Sequence, residues 1–243
     1  MEESVSVIIP AYNEGPMILN TIRETIKILK QHDIDFEVIV VDDGSGDNTY
    51  KEALRARSLG NVKCIRYERN EGKGHAIRKG FQISKGRLIT FIDADMDLHP
   101  AQIPFFLDYM KKYHADMVVG SKRHPRSRVT YPWTRKMLSI SYRLVIKALF
   151  NLSVKDTQVG LKLIKREILE RALPVMEVNR YAFDLELMVI ANRFGYRIAE
   201  APITLDFRKQ FARMGAMDIY VIFMNTLSVF YRLKTKRYEA DGH

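Results

Sequence analysis

Phe36-Glu37-Val38-Ile39-Val40-Val41 is an almost wholly apolar run that breaks at once into Asp42-Asp43-Gly44-Ser45. A short, β-branched stretch stopped by turn residues reads as a buried strand. The same pattern recurs on both sides of it. Upstream, Val5-Ser6-Val7-Ile8-Ile9 is closed by Pro10, and Ile18, Ile22, Ile26 and Leu29 fall at helical spacing between the two runs. Downstream, 47–59 reads as a helix and Val62 to Tyr67 as a third strand. Gly72-Lys73-Gly74 then opens a helix through Ser84, and Arg87 to Ile92 makes a fourth strand. Strands separated by helices at this cadence predict crossover units and a mainly parallel α/β sheet. In such sheets ligands bind beyond the carboxyl ends of the strands. Met117 to Ser121, Leu161 to Ile164 and Ile198 to Leu205 read as further short strands, and no repeat or linker interrupts the chain.

The 243 residues are enough for one α/β domain with a small appendage. With 39 Lys and Arg against 29 Asp and Glu, the net charge of +10 suits an anionic partner. Nucleic acid is disfavoured, because the aromatic residues are not interleaved with the basic ones as stacking platforms. The lone Cys64 excludes an internal disulfide and makes a reducing, cytoplasmic setting the expectation. No signal peptide is expected from the acidic start Met1-Glu2-Glu3-Ser4, and no run reaches the ~18 uncharged apolar residues of a spanning helix.

The chemistry gathers at the predicted strand ends: Tyr12 and Glu14, Asp42 and Asp43, Asp93 and Asp95. Asp93-Ala94-Asp95 directly follows the fourth strand, and Asp97 adds a third carboxylate at the same spacing. Carboxylates so placed can share one hard cation, Mg²⁺ or Mn²⁺, while a diphosphate closes its other side. Tyr12 can lie against a base, and an Asp of the 42–43 pair can accept the imide N–H of a uracil. Lys73, at a helix start, is placed for phosphates. A dinucleotide-binding dehydrogenase fails at its first turn, where Pro10-Ala11-Tyr12-Asn13-Glu14-Gly15 holds one glycine instead of the required three.

Val7-Ile8-Ile9-Pro10-Ala11-Tyr12-Asn13-Glu14, Val40-Val41-Asp42-Asp43-Gly44-Ser45 and Asp93-Ala94-Asp95 together resemble family 2 glycosyltransferases of the GT-A fold. Three later segments, 69–74, 156–163 and 182–187, are similar to dolichyl-phosphate glucosyltransferases, with dolichyl-phosphate mannose synthases sharing the first half. The resemblance implies transfer of one sugar, with inversion, from a nucleoside-diphosphate sugar (a uridine one, such as UDP-glucose) to dolichyl or another polyprenyl phosphate. It implies a donor site of Pro10, Tyr12, Glu14, Asp42 or Asp43, Lys73, Asp93, Ala94, Asp95 and Lys122. Asp93 and Asp95 would hold the metal with Asp97 as a third candidate, and the Gly120-Ser121-Lys122 segment would bring Lys122 or Arg123 to phosphate.

A lipid monophosphate, with a second pKa of about 6, is already largely dianionic and needs aiming instead of deprotonation. Arg135, Arg208 and Arg213 are the candidates for its cradle, because guanidinium forks match phosphate oxygens in pairs. Arg135 and Arg208 thus join Asp93 and Asp95 as the expected catalytic set. The alternative, a saccharide or glycolipid hydroxyl as acceptor, needs a general base, for which Asp184 and Glu186 are candidates. Two segments read as amphipathic helices for a lipid interface. In 135–150, Lys136, Arg143 and Lys147 form one stripe; in 219–231, 13 uncharged residues precede Arg232, Lys234, Lys236 and Arg237. The expected division is a GT-A domain over 1–213 and a membrane-associating helix with basic tail over 214–243, held peripherally on the cytoplasmic face of a membrane.

Overall fold

In β1 (Val5–Ala11) the side chains of Val5, Val7 and Ile9 turn to one face of a central sheet and Ile8 to the other. β2 (Phe36–Asp42) repeats the alternation, with Val38 and Val40 on the first face and Ile39 and Val41 on the second. This period-2 split of continuously apolar strands buries both faces, and so calls for helices on both. The structure is a computed structural model that describes residues 4–130, 142, 144–150, 152, 154–180, 182–206, 216–235 and 238.

The first face is covered by α1 (Gly15–Gln31), through Ile18, Ile22, Ile26 and Leu29. These are the residues whose spacing predicts the helix. The same face is covered beside α1 by α2 (Thr49–Arg55) and by α4 (Ile103–Tyr113), the latter through Ile103, Phe106, Leu107 and Met110. The second face takes α3 (Lys73–Ile83), α6 (Arg166–Ala172) and α7 (Phe183–Arg193). Each fully buried Ile, Leu or Phe contributes about 1.5–3 kcal/mol relative to exposure, so these two layers supply most of the driving force.

β3 (Val62–Arg66), β4 (Leu88–Phe91), β5 (Met117–Ser121), β7 (Lys162–Lys165) and β8 (Ile198–Pro202) complete a seven-stranded sheet of order β3-β2-β1-β4-β7-β5-β8. β1 to β4 are mutually parallel, as expected. β7 instead runs antiparallel to both β4 and β5, which the apolar pattern of Leu161 to Ile164 gave no means of foreseeing. The strand expected over 198–205 divides after Pro202. Its second part, β9 (Thr204–Asp206), pairs in a separate two-stranded sheet with β6 (Arg128–Thr130). Strand order reverses at β1, with β2 and β3 added on one side and β4 on the other. A crevice opens at such a switch point, here between the ends of β1 and β4.

A smaller apolar cluster joins α7 to the helix described over 144–150 (α5) and to α8 (Ala216–Lys234), through Ile146, Phe150, Leu185, Val189 and Val229. Glu186 of α7 and Arg232 of α8 pair across this contact at 2.8 Å. Arg232 was expected in a headgroup-facing basic cluster; it is turned inward and buried instead. Among the described residues no helix is long and apolar enough to cross a membrane.

Candidate active site

The segment after β4 is built so that its carboxylates share a side. Ala94, Met96 and Leu98 are buried, whereas Asp93, Asp95 and Asp97 between them are half-buried. Thr21 of α1 donates to the Ala94 carbonyl at 2.7 Å and Asp97 N–H donates to Asp95 Oδ1, which fixes the loop from behind. Met96 holds φ at 64°, a left-handed conformation that costs a non-glycine residue about 1–2 kcal/mol. Ala94 was carried as a donor contact; its methyl belongs to the core, and it serves to position the two carboxylates beside it.

Asp93 faces a cleft of about 530 Å³ lined by Pro10, Ala11, Tyr12, Asp43, Asn70, Gly72, Lys73, Gln158, Arg180, Phe183, Asp184 and Ile222. Tyr12 and Asp43, at the ends of β1 and β2, are thereby brought to one opening with Asp93 and Lys73. Tyr12 is 49% exposed, an aromatic face open to the cleft. Of the 42–43 pair, Asp43 lines the cleft. Asp42 is buried beneath it, accepting from Ser45 N–H, with its other oxygen 3.4 Å from Arg66 Nε. Asp43 accepts from the N–H groups of Glu71 and Gly72 at 2.8 and 2.9 Å, tying the glycine loop to the end of β2. Gly72 sits at φ 100°, and a Cβ there would strike the Asn179 carbonyl at 2.7 Å, so glycine is required. Glu14 caps α1 without lining the cleft.

Lys73, the first residue of α3, extends its Nζ to Asp93 Oδ1 at 2.5 Å. Burial pushes the Asp93 carboxyl up, but Lys73 outweighs it and leaves the group below the usual carboxylate range. The opposite holds at Asp95, where burial and the Asp93 charge, with Asp97 and Glu14 beyond, push the carboxyl up to about 6. That accumulation of negative charge is what a hard divalent cation relieves, so Asp93 and Asp95 fit one. Asp97 does not complete a cage with them: among the described residues no three acidic, His or Cys side chains converge to ligate one ion.

Residues that sequence reading left without individual roles build the far wall. Lys162 is buried under the cleft, donating to the Val159 carbonyl at 2.5 Å and lying 2.9 Å from Asp184 Oδ1. Gly160 passes so close to Asp93 that a Cβ would stand 1.8 Å from Oδ2. Arg180 lines the cleft with its Nη2 donating to the Asn70 carbonyl. The spacing of Asp156 to Leu163 carries no signal of the contacts of Lys162 with Asp184 and of Gly160 with Asp93, because those partners lie 20 or more residues away.

Gln158 also borders a second cavity of about 210 Å³, whose polar lining is Lys122, Arg123, Lys147, Lys155, Asp156 and Thr157 and whose apolar lining is Tyr142, Ile146, Leu152 and Val154. Lys122 N–H donates to Asp156 Oδ2, which aims the residue at this cavity. Arg135, Arg208 and Arg213, like Lys136 and Arg143, lie outside the described residues. Asp184 is engaged by Lys162. Glu186 is 0% exposed, accepting from the N–H groups of Glu177 and Val178, from Arg232 and from Tyr238 Oη. As a candidate base it is therefore corrected to a tie between α7 and α8.

Comparison with known proteins gives relatives in sequence and in fold. The chain is 31% identical over 242 residues to dolichyl-phosphate beta-glucosyltransferase ALG5D of Trichomonas vaginalis, covering 94% of this chain and 74% of that one. It is 29% identical to a dolichyl-phosphate beta-glucosyltransferase of Dictyostelium discoideum, covering 82% of this chain and 65% of that protein. The chain thus spans about two thirds of the length of the curated relatives it matches. Glucosyl-3-phosphoglycerate synthase from Mycobacterium tuberculosis, solved with UDP, superposes with a TM-score of 0.70 at 18% identity, covering 99% of this chain and 82% of that one. Mannosyl-3-phosphoglycerate synthase from Rubrobacter xylanophilus gives 0.73 at 17%, covering 99% and 76%. These likenesses are of fold, and they bear out the GT-A expectation. The sequence model described as Glycosyl transferase family 2 matches residues 6–173, and the chain belongs to that family.

Proposed function

We propose that this glycosyltransferase moves one hexose, glucose by preference, from a uridine-diphosphate sugar to dolichyl or another polyprenyl phosphate, with inversion. The observation that carries the reading is the adjacency of two cavities meeting at Gln158: a carboxylate-and-lysine cleft, and a smaller cavity with a cationic rim and an apolar wall. The first suits a nucleotide sugar and the second a phosphate on a hydrocarbon chain. The names of the relatives support the lipid acceptor and the sugar, and the UDP complexes of the structural neighbours support the base.

In this reading Tyr12 lies against the uracil, Asp43 accepts its imide N–H, and Pro10 packs beside the nucleoside, with Glu14 near the metal pair. Lys73 takes the diphosphate. Asp93 and Asp95 hold Mg²⁺ or Mn²⁺, which when bound offsets the charge building on the departing diphosphate. Lys122 and Arg123 receive the acceptor phosphate, joined by Arg135, Arg208 and Arg213. A phosphate dianion needs no base, which accords with the engagement of Asp184 and Glu186 by cations. Attack opposite the leaving diphosphate inverts the sugar carbon. The hydroxyl-acceptor alternative lacks a carboxylate free to serve as base among these two.

The transferase unit is assigned to 1–213 and the membrane seat to 214–243. Along α8, Met217, Tyr220, Met224, Leu227 and Tyr231 are exposed at alternating spacings of three and four, while Ile222, Thr226 and Val229 face the protein. An uninterrupted exposed apolar stripe of this kind suits a helix lying in a lipid interface, here on the cytoplasmic leaflet. The test is incubation of purified protein with Mn²⁺ or Mg²⁺, a polyprenyl phosphate and labelled sugar nucleotides, followed by organic extraction. Metal-dependent label in the organic phase, abolished by EDTA, is expected. Label that stays in water on a saccharide acceptor would refute the lipid assignment.

A further inference from the structure

We propose that Lys73 is the resting partner of Asp93: an ammonium that stands in the cation's place in the free protein and is handed to the donor diphosphate when metal and nucleotide enter together. The inference rests on the function proposed above, in which Asp93 ligates the metal. Asp93 has one oxygen taken and the other closely walled. Oδ1 holds Lys73 Nζ at 2.5 Å, and Oδ2 faces the Gly160 backbone too closely to leave room for even a Cβ. A divalent ion that ligates Asp93 through Oδ1 therefore competes with Lys73 for that oxygen.

Lys73 is built to move. About a third of its side chain is open to solvent, its head is carried on a flexible four-carbon stem, and its backbone begins α3, where an anion is favoured. The other carboxylates lining the cleft are already taken, Asp184 by Lys162 and Asp43 by the N–H groups of Glu71 and Gly72, and are poor alternative seats. With nucleotide present, the diphosphate receives the displaced ammonium, and the metal compensates Asp93 and Asp95. With metal alone, the ammonium has nowhere equivalent to go. Metal and nucleotide uptake are thus positively coupled through one side chain, and such coupling is reciprocal.

The experiment counts free Mn²⁺ by electron paramagnetic resonance as wild type, Lys73→Met and Arg180→Met are titrated, with and without saturating UDP. Removing the competing ammonium should tighten Mn²⁺ binding in the absence of UDP by about five- to ten-fold. It should also shrink the ratio of the two Mn²⁺ affinities (with UDP over without) by a similar factor. Arg180→Met removes a cleft cation with no contact to Asp93, and should leave the UDP-free affinity within about two-fold. Lys73→Gln, with thermal unfolding as the fold check, repeats the test with a polar head. An unchanged or weaker UDP-free affinity in both Lys73 variants overturns the proposal. Equal tightening in Arg180→Met does so too, since the effect would then be that of the general field. Loss of the exchange with wild-type coupling intact leaves the proposed function standing, whereas no Mn²⁺ uptake with UDP by wild type removes both.

Discussion

Gly160→Ala is a one-carbon change aimed at Asp93, the proposed metal ligand, from a residue that titrates nothing. The new Cβ would lie 1.8 Å from Asp93 Oδ2 and 2.6 Å from its Cγ. Ordinary contact begins at 3.4 Å, so the carboxylate must retreat by about 1.6 Å or the Gly160 backbone must back away. Asp93 has a short side chain, its neighbours Ile92 and Ala94 are locked in the core, and Thr21 holds the Ala94 carbonyl. Rotation about the Asp93 side-chain bonds is the easier response, and it carries the carboxylate off its Lys73 and metal positions. A displacement of ~1 Å at a reacting group can cost about 100-fold in rate, roughly 2.7 kcal/mol. The φ of Gly160 lies outside the left-handed region, so alanine brings no backbone strain, and the unfolding free energy should change by less than about 1 kcal/mol. Initial rates of label transfer, read beside urea unfolding, measure both quantities. A variant that keeps its rate within about three-fold of wild type would refute the placement of Asp93 at the reaction centre.

Three further outcomes follow from other parts of the fold. Arg232→Met leaves the fully buried Glu186 without its cation, and one-sided removal from a buried pair costs about 3–5 kcal/mol. Urea unfolding should show this, and a loss under about 1 kcal/mol would mean that α8 is held by its apolar contacts alone. Burial raises the Glu37 carboxyl, but Lys63, Ser6 and the Lys85 N–H more than offset this, leaving it below its ordinary 4.5. Its contribution is therefore fully present above about pH 4.5 and is lost as pH falls through the lower folded value. Glu37→Gln should destabilise at pH 7 and converge on wild type in acid, and a gap that persists in acid would contradict the assignment. Leu227→Glu, in the middle of the exposed stripe of α8, should abolish flotation with phosphatidylserine-containing vesicles without lowering the thermal midpoint. Undiminished flotation would place the membrane contact elsewhere.

The parallel half of the sheet was legible because β1, β2 and β4 are buried on both faces and read as largely apolar runs with helical spacing between them. The strand ends followed from that, and Tyr12, Asp43, Lys73 and Asp93 do share one cleft. The direction of β7 was not legible, since Lys162-Leu163-Ile164-Lys165 buries its side chains whichever way it runs. Adjacent carboxylates were read as equivalent, yet a strand alternates its faces. That alternation sends Asp42 under Arg66 and Asp43 into the cleft. Glu186 and Arg232, 46 residues apart, looked like a free acid and a free base, because a buried pair has no signature until the fold joins its members.

The same limit explains how a chain of net charge +10 can have a donor cleft lined with acids. The cleft alternates in sign: Asp43, Asp93 and Asp184 stand among Lys73, Arg180 and the buried Lys162, which come from five separate stretches of chain. Alternation lets the site hold two carboxylates for a metal without repelling the diphosphate that must follow, because the cations are already within reach. α8 completes the arrangement. Ile222, on its inner face, lines the donor cleft, while the outer face of the same helix carries the exposed apolar stripe. On the proposed function, a helix lying on lipid with one face and walling the cleft with the other would bring a water-borne nucleotide sugar and a membrane-bound phosphate to within a helix diameter, about 10 Å, of each other. Separating α8 from α7 by breaking the Glu186–Arg232 pair should therefore damage transfer to lipid more than it damages UDP binding.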